Sequence, residues 1–318
     1  MSSRVIQVTA PSRLHFGILS VNRSGGRQFG GVGAMVELPG LQVSIRPAER
    51  LEISGLLVER TRRIAESLSR DGGGAHCRIE VTQAPPEHVG LGTGTQLSMA
   101  IAAALNALAG RPPLDAVRFA RCAARGERSA IGLYGFLHGG VLFEAGKTET
   151  EEISPLVARA ELPADWRFVL ICPRGEFGLS GDAERRAFAA LPPVPEHRST
   201  TLERLAGDIL LPAAARADFE TFSEALYEFG YLAGLNFAQE QGGPFAGRRL
   251  ESLVATARTL GVRGVGQSSW GPTLFALCPN SSTAAEFLKR FIEVSAGRDL
   301  QTWISRPNNS GAKIEAAE

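Results

Sequence analysis

The chain has 318 residues, 44% hydrophobic and 21% charged, with 34 basic against 33 acidic side chains. That length exceeds an average domain and predicts two domains, or one large one, with a sizeable core. A net charge near zero gives nothing in bulk to attract nucleic acid or an anionic membrane.

The start, "MSSRVIQVTAPSRLHF", lacks the continuous apolar stretch of a secretion signal, and the most apolar helical run, residues 97–109, is too short to span a bilayer. A cytoplasmic protein is expected. Cys77, Cys122, Cys172 and Cys278 form no CxxC pair, so free thiols are expected rather than disulfides or a zinc site.

Along the chain, "RVIQVTA" (4–10) and "LQVSIRP" (41–47) alternate apolar and polar residues as strands do. Between them, residues 17–40 carry glycines too often for a regular element. The next stretch starts extended, turns helical through Leu57, Ile64 and Leu68, and is expected to stop at the glycines 72–74. "HCRIEVTQAPP" (76–86) reads as a strand ended by two prolines. "GLGTGTQLSMAIAAAL" (90–105) is a glycine-rich turn feeding a helix, whose Leu97, Ile101, Leu105 and Leu108 define one buried face. A helix capped near Asp115 and the strand "GGVLFEAG" (139–146) follow.

Charged, proline-containing residues 150–165 suggest a boundary, giving domains 1–158 and 159–307 and a polar, frayed tail 308–318. The second part begins with the buried strand "RFVLICP" (167–173) and a loop over 191–199. Helices are predicted over 218–238 and 249–261, then a glycine loop entering a strand over 261–279. A helix at 284–295 and an extended segment at 300–306 complete it. Strands and helices mix in both halves, so the fold class is α+β.

The glycine turn carries the chemistry. Unpaired N–H groups and a partial positive charge at a helix N-terminus receive anions. Gly90, Gly92 and Gly94 allow close backbone approach, and Thr93 and Thr95 add hydroxyls. Lacking a lysine, the turn is not the GxxxxGK[ST] loop of P-loop enzymes, and a plain strand-to-helix turn stays open for it.

"PEHVGLGTGTQ" (86–96) resembles the P-x3-G-L-G-[ST]-[ST]-A signature of the GHMP superfamily, which includes the galactokinases, homoserine kinases and mevalonate kinases. "APSRLHFG" (10–17) is similar to that group's N-terminal motif, and "VRGVGQSSWGPTLFAL" (262–277) to its C-terminal glycine loop. The resemblance spans the chain. It implies a ribosomal-S5-like N-terminal domain, a ferredoxin-like C-terminal domain and a cleft between them.

Two departures weaken a kinase reading. In "SAIGLYGFLHGG" (129–140), Ser129 and the Gly139–Gly140 pair agree with the kinase pattern, but its aspartate slot holds Gly132. The loop's second hydroxyl is replaced by Gly94. Both removals fit a branch of the superfamily that is not a kinase, the beta-ribofuranosylaminobenzene 5'-phosphate synthases of methanopterin synthesis. "GGRQFGGVGAMVELP", "GLSGDAERRAF" and "GQSSWGPT" resemble that branch most distinctively.

The resemblance implies transfer from phosphoribosyl pyrophosphate to 4-aminobenzoate or 4-hydroxybenzoate, with release of CO₂ and pyrophosphate. It also implies Mg²⁺ as cofactor and a homodimer. An ATP-dependent small-molecule kinase and a non-catalytic binding or regulatory protein remain the alternatives.

On this reading the phosphate or pyrophosphate lies on Gly90, Leu91, Gly92, Thr93, Gly94, Thr95 and Gln96, with Gln267, Ser268 and Ser269 as further donors. Arg13, His15, Arg27 and Trp270 form the expected catalytic set: arginines for phosphate, His15 for the benzoate, Trp270 for ring stacking. Arg174 and Arg185 are further phosphate candidates. Glu127, Glu176, Asp182 and Glu184 are the carboxylates available to magnesium. Structural roles remain open for the arginines, for His15, for Trp270 and for Glu127.

Overall fold

The computed structural model describes residues 4–22, 26–70, 76–295 and 299–317. β1 (Val5–Ser20) and β2 (Phe29–Pro47) form one long antiparallel hairpin through the segment expected to be irregular. Its glycines are compatible with the ladder because the partner backbone presses close. A Cβ on Gly31 would lie 2.1 Å from the carbonyl oxygen of Gly17.

Register shifts between Ala10 and Ser12 and between His15 and Gly17 interrupt the pairing. Ile6, Val8 and Ala10 of β1 join Leu41, Val43 and Ile45 of β2 in one core. Past the first shift, Leu14 and Phe16 join Val32, Ala34 and Val36 in another. Side chains alternate with a period of two, so a ladder irregularity redirects the apolar set. The hairpin thereby serves two cores.

The remaining strands of the first sheet are β3 (Glu52–Gly55), β4 (Cys77–Gln83), β5 (Val141–Glu144), β6 (Leu156–Ala160) and β11 (Lys313–Ala317). Their order is β11-β1-β2-β4-β3, with β5 on β2 and β6 on β5. α1 (Val58–Arg70), α2 (Thr93–Leu108), α3 (Ala116–Ala123) and α4 (Ile131–His138) belong to this half. Asp115 caps α3 as expected, accepting from the Arg118 N–H. The glycines expected to stop α1 lie outside the described residues.

The second sheet is antiparallel, ordered β10-β7-β9-β8, from β7 (Arg167–Pro173), β8 (Val265–Gln267), β9 (Leu274–Cys278) and β10 (Leu300–Ser305). β7 is buried on both faces. Its Phe168, Leu170 and Cys172 face the core shared with β1, whereas Val169 and Ile171 face a third core.

α5 (Gly181–Ala190) precedes α6 (Glu196–Arg204), which runs through a π-helical turn, Leu205–Leu210, into α7 (Leu211–Ala215). α8 (Phe219–Gly234), α9 (Ala238–Gln241), α10 (Gly247–Thr259) and α11 (Ser281–Val294) follow. Phe222, Leu226 and Phe229 of α8 fill the shared core beside Phe143 of β5, so both halves rest on one apolar mass. Leu250 and Val254 of α10 and Phe291 of α11 line the third.

Three further expectations need correction. The loop drawn over 191–199 is helical from Glu196. The boundary at 158/159 falls inside β6, a strand of the first sheet. The tail does not fray, because residues 313–317 pair with β1 from Thr9 to Val5. Its polarity reflects an edge strand with exposed side chains, not an unpaired backbone. None of the four cysteines forms a disulfide, and no helix among the described residues is long and apolar enough to cross a membrane.

Asn309 anchors the returning tail, with its Oδ1 accepting from the Leu162 N–H at 3.0 Å and its Nδ2 donating to the Leu162 carbonyl at 2.8 Å. Asn309→Ala leaves both backbone groups without these partners and is expected to cost about 2 kcal/mol of stability, read from urea unfolding.

Candidate active site

Three distant segments meet at one point, and hydrogen bonds join them. The Arg13 N–H donates to the Leu91 carbonyl at 3.0 Å, and the Ser269 N–H donates to the His15 carbonyl at 2.9 Å. The buried Ser268 hydroxyl lies between them, accepting from the His15 N–H at 3.1 Å and donating to the Gly90 carbonyl at 2.7 Å. A register shift in β1 beside His15 leaves backbone groups there free for these partners. Gly90 has φ +87°, and a Cβ on it would lie 2.2 Å from the Ser268 carbonyl oxygen.

Around this junction lie two connected chambers. The smaller is lined by the glycine loop, Arg13, Arg60, His88 and Arg125. The larger contains His15, Arg128 and Ser129 together with Phe188, Phe237 and Trp270. Arg13, Thr95, Arg125, Glu184, Ser269 and Trp270 border both. The three aromatic rings meet edge to face, with Trp270 4.9 Å from Phe237 and 5.5 Å from Phe188 between centroids.

The chambers are short of acceptors. Arg13 Nε, Arg125 Nε and Arg128 Nη1 are buried without hydrogen-bond partners. Burial lowers the Arg13 pKa to about 10 and depresses Arg125, with Arg60 adding like-charge repulsion to the latter. Both remain cations at neutral pH. Arg128 pairs with Glu184 at 3.0 Å and lies over the Phe188 ring at 4.6 Å. Unpaired buried N–H groups cost free energy that an anionic ligand would recover.

His15 is buried, and its Nε2 is 3.1 Å from the Ser129 hydroxyl. Desolvation, with Arg13 nearby, holds its pKa down at about 3, so the ring is neutral. Glu144 at the end of β5 is fully buried and accepts from the Ala130 N–H at 2.7 Å. Burial pushes its carboxyl up to about 7 against the Ser129 and Ser154 hydroxyls, the Ala130 N–H and the charge of Arg13.

The sequence-predicted residues divide accordingly. Arg13, His15, Trp270, Gly90, Leu91, Gly92, Gly94, Thr95 and Ser269 border the chambers. Thr93 borders the smaller chamber, but its hydroxyl donates to the Pro86 carbonyl instead of facing an anion. Gln96 is buried and donates to the Gly132 carbonyl. Gln267 accepts from the Ala246 N–H and donates to the Ser269 carbonyl, and Ser268 ties the junction. Gln96 and Ser268 shape the site from behind it, whereas Gln267 also borders the larger chamber.

Arg27 is a correction: it makes a bidentate pair with Glu151 and lines neither chamber. Among the carboxylates, Glu176 is engaged by Arg249 and Asp182 by Arg185, both away from the chambers. The Arg174 side chain is exposed. Glu127 and Glu184 remain on the larger chamber. No three metal-ligating side chains converge among the described residues.

Sequence reading missed Arg60, Arg125, Arg128, Phe188, Phe237 and Glu144. Arg128 directly precedes "SAIGLYGFLHGG" and Phe188 ends "GLSGDAERRAF", so closeness in sequence to Ser129 and to Glu184 is the available signal. Gly94 also acquires a different meaning. A Cβ there would lie 1.9 Å from the Arg60 guanidinium, so the glycine makes room for an arginine and not directly for the anion. Arg60 is held there by an ion pair with Glu87.

Residues 57–140 match the GHMP kinases N terminal domain, and residues 210–296 match the GHMP kinases C terminal domain. The chain is 30% identical to a beta-ribofuranosylphenol 5'-phosphate synthase of Archaeoglobus fulgidus, over 98% of this chain and all of that one. Its identity to the protein of the same name from Methanothermobacter thermautotrophicus is 28%, over 85% and 88% of the two chains. In fold it is similar to a homoserine kinase from Cytophaga hutchinsonii, with TM-score 0.68, 18% identity and coverage of 98% and 97%. It is also similar to a mevalonate pyrophosphate decarboxylase from Streptococcus pyogenes, with TM-score 0.69, 12% identity and coverage of 97% and 98%.

Two measurements check this geometry. Gly94→Ala displaces the Arg60 guanidinium and is expected to weaken inorganic pyrophosphate binding roughly ten-fold, read by tryptophan fluorescence, with the fold retained. His15 gives a pH signature of stability. Its pKa is about 3 in the fold and near 6.5 when unfolded, so between these values the unfolded chain binds a proton that the fold does not. Its contribution is present above pH 6.5 and lost as the pH falls. Going from pH 7 to pH 5, the wild type is expected to lose about 2 kcal/mol more than His15→Gln, read from urea midpoints at each pH.

Proposed function

The chain belongs to the GHMP kinases, in the branch of the beta-ribofuranosylphenol 5'-phosphate synthases, and from that premise we propose that it joins phosphoribosyl pyrophosphate to 4-hydroxybenzoate or 4-aminobenzoate. CO₂ and pyrophosphate leave. The observation that carries this reading is the pairing of an anion-deficient chamber with an aromatic one. Arg13 and Arg125 stand on their common border, and Arg128 stands among the rings.

The glycine loop, Arg13, Arg60 and Arg125 take the pyrophosphate, where fixed cations and helix N–H groups stabilise the charge that develops as it leaves. Phe188, Phe237 and Trp270 enclose the acceptor ring, excluding water from the sugar cation. The ring carbon bearing the carboxylate attacks the anomeric carbon, and the electron pair released with CO₂ restores aromaticity. No proton has to leave the attacked carbon. This accounts for Gly132 where a kinase carries aspartate: its Cβ direction meets the Thr95 methyl at 3.1 Å, with no carboxylate there.

Magnesium fits the donor set in one way. It retains most of its waters and uses one or two protein carboxylates together with substrate phosphates. Glu184 borders both chambers and Glu127 the larger, so these would hold it. When bound, the ion would supply charge neutralisation to the pyrophosphate.

With Mg²⁺ and phosphoribosyl pyrophosphate, the purified protein is expected to release pyrophosphate and CO₂ from at least one of the two benzoates, without consuming ATP. Arg125→Ala should lower kcat/KM for the sugar donor by roughly 10- to 100-fold. ATP turnover on an alcohol, with no CO₂, would sink the assignment.

A further inference from the structure

A third chamber, of about 640 Å³, adjoins the other two and has no part in the reaction outlined above. One of its walls is α1. Arg60, Arg63 and Ser67 follow one another at intervals of three and four residues, so they stand along one face of that helix and border the chamber. Ile64 and Leu68, each one position further on, pack against the first domain's core and fix the face in place. Across from α1, the chamber is bordered by Arg125 and by Ser180, whose hydroxyl makes no capping bond to α5.

Charge in this chamber is out of balance. Both of its carboxylates are already engaged, Glu87 by Arg60 and Glu184 by Arg128. Arg63 Nε donates to the Glu59 carbonyl at 3.4 Å, and Arg125 Nη2 to the Gly94 carbonyl at 3.5 Å. Neither of these two arginines has a carboxylate partner among the described residues. Arg60 and Arg125 also converge on Gly94, the first where its Cβ would lie and the second at its carbonyl. Like charges brought together in this way leave an excess of positive charge, which favours an anion.

The chambers share one corner: Arg125 and Glu184 border all three. A phosphoribosyl pyrophosphate also has three directions to satisfy. Its anomeric carbon breaks a bond to pyrophosphate and makes one to the incoming ring. Its C5, beyond the ring oxygen and C4, carries a separate phosphate. Bond making and breaking at one carbon require pyrophosphate and acceptor to be neighbours. Their two chambers accordingly share Arg13, Thr95, Ser269 and Trp270 as well. The phosphate on C5 is remote from that carbon and needs cations of its own.

We infer that the donor's ribose sits at the corner formed by Arg125 and Glu184, and that the third chamber holds its 5-phosphate through Arg63. Arg60 and Arg125 face both phosphate-bearing ends of the donor, whereas Arg63 borders only the third chamber. This rests on the phosphoribosyl-transfer reading and adds to it the residue that selects a phosphorylated sugar. A contact so far from the reacting carbon is the same before and during bond exchange, so it acts on donor affinity and not on the chemical step.

Calorimetric titrations separate the two ends of the donor. The protein is titrated with ribose 5-phosphate, with inorganic pyrophosphate and with adenosine 5'-phosphate, each alone. Arg63→Ala is expected to weaken ribose 5-phosphate binding about ten-fold and to leave pyrophosphate binding within about two-fold, which also shows that the variant is folded. Arg63→Lys keeps the charge and should lose no more than about three-fold. In turnover, Arg63→Ala should raise KM for phosphoribosyl pyrophosphate about ten-fold, with kcat and the benzoate KM within about two-fold.

If the wild type does not bind ribose 5-phosphate, or if Arg63→Ala binds it equally well, the inference is overturned. Equal losses for pyrophosphate and ribose 5-phosphate also overturn it, because Arg63 would then attract anions without a site of its own. Adenosine 5'-phosphate binding more tightly than ribose 5-phosphate would make the chamber a nucleotide site instead, and the inference would fall. Absence of turnover with either benzoate, while ribose 5-phosphate still binds through Arg63, would overturn the transfer reading and uphold the phosphate site.

Discussion

The site depends on one buried hydroxyl. Ser268 holds the His15 N–H and the Gly90 carbonyl at once, joining a strand of the first domain, the glycine loop and the turn before β9. Each of these segments is irregular where it meets the others. Backbone groups at such irregularities need partners when buried. The junction supplies them and fixes the distance between the two chambers.

Electrostatics follow from that closure. Arg13, Arg60, Arg125 and Arg128 converge on a space whose walls provide few acceptors, with Glu87 and Glu184 engaging Arg60 and Arg128. Cations held in partly dry surroundings interact with a developing anion far more strongly than in water. The same dryness keeps His15 neutral and Glu144 easily protonated.

The glycine substitutions that separate this chain from a kinase have distinct physical meanings. Gly94 lets Arg60 lie over the start of α2, placing a cation where the kinase signature carries a hydroxyl. Gly132 leaves the aspartate slot against Thr95 without a carboxylate. A donor whose acceptor loses CO₂ from the attacked carbon needs charge stabilisation more than a base at that carbon, and both changes run in that direction.

Local pattern determined the outer ends of β1 and β2, the buried β7, the helix after the glycine turn, the Asp115 cap and the three motifs that border the cleft. Period, capping chemistry and glycine placement are properties of short stretches, so a single sequence expresses them. Tertiary structure alone decided the rest. It paired Arg27 with Glu151, drew the tail into the first sheet, and turned the Thr93 hydroxyl toward Pro86. It also brought Arg60, Arg125 and Arg128 to one space and set the buried Glu144 against the Ala130 N–H. An arginine or a glutamate reads alike on a surface and in a site, because its role is fixed by burial and by neighbours distant in the chain.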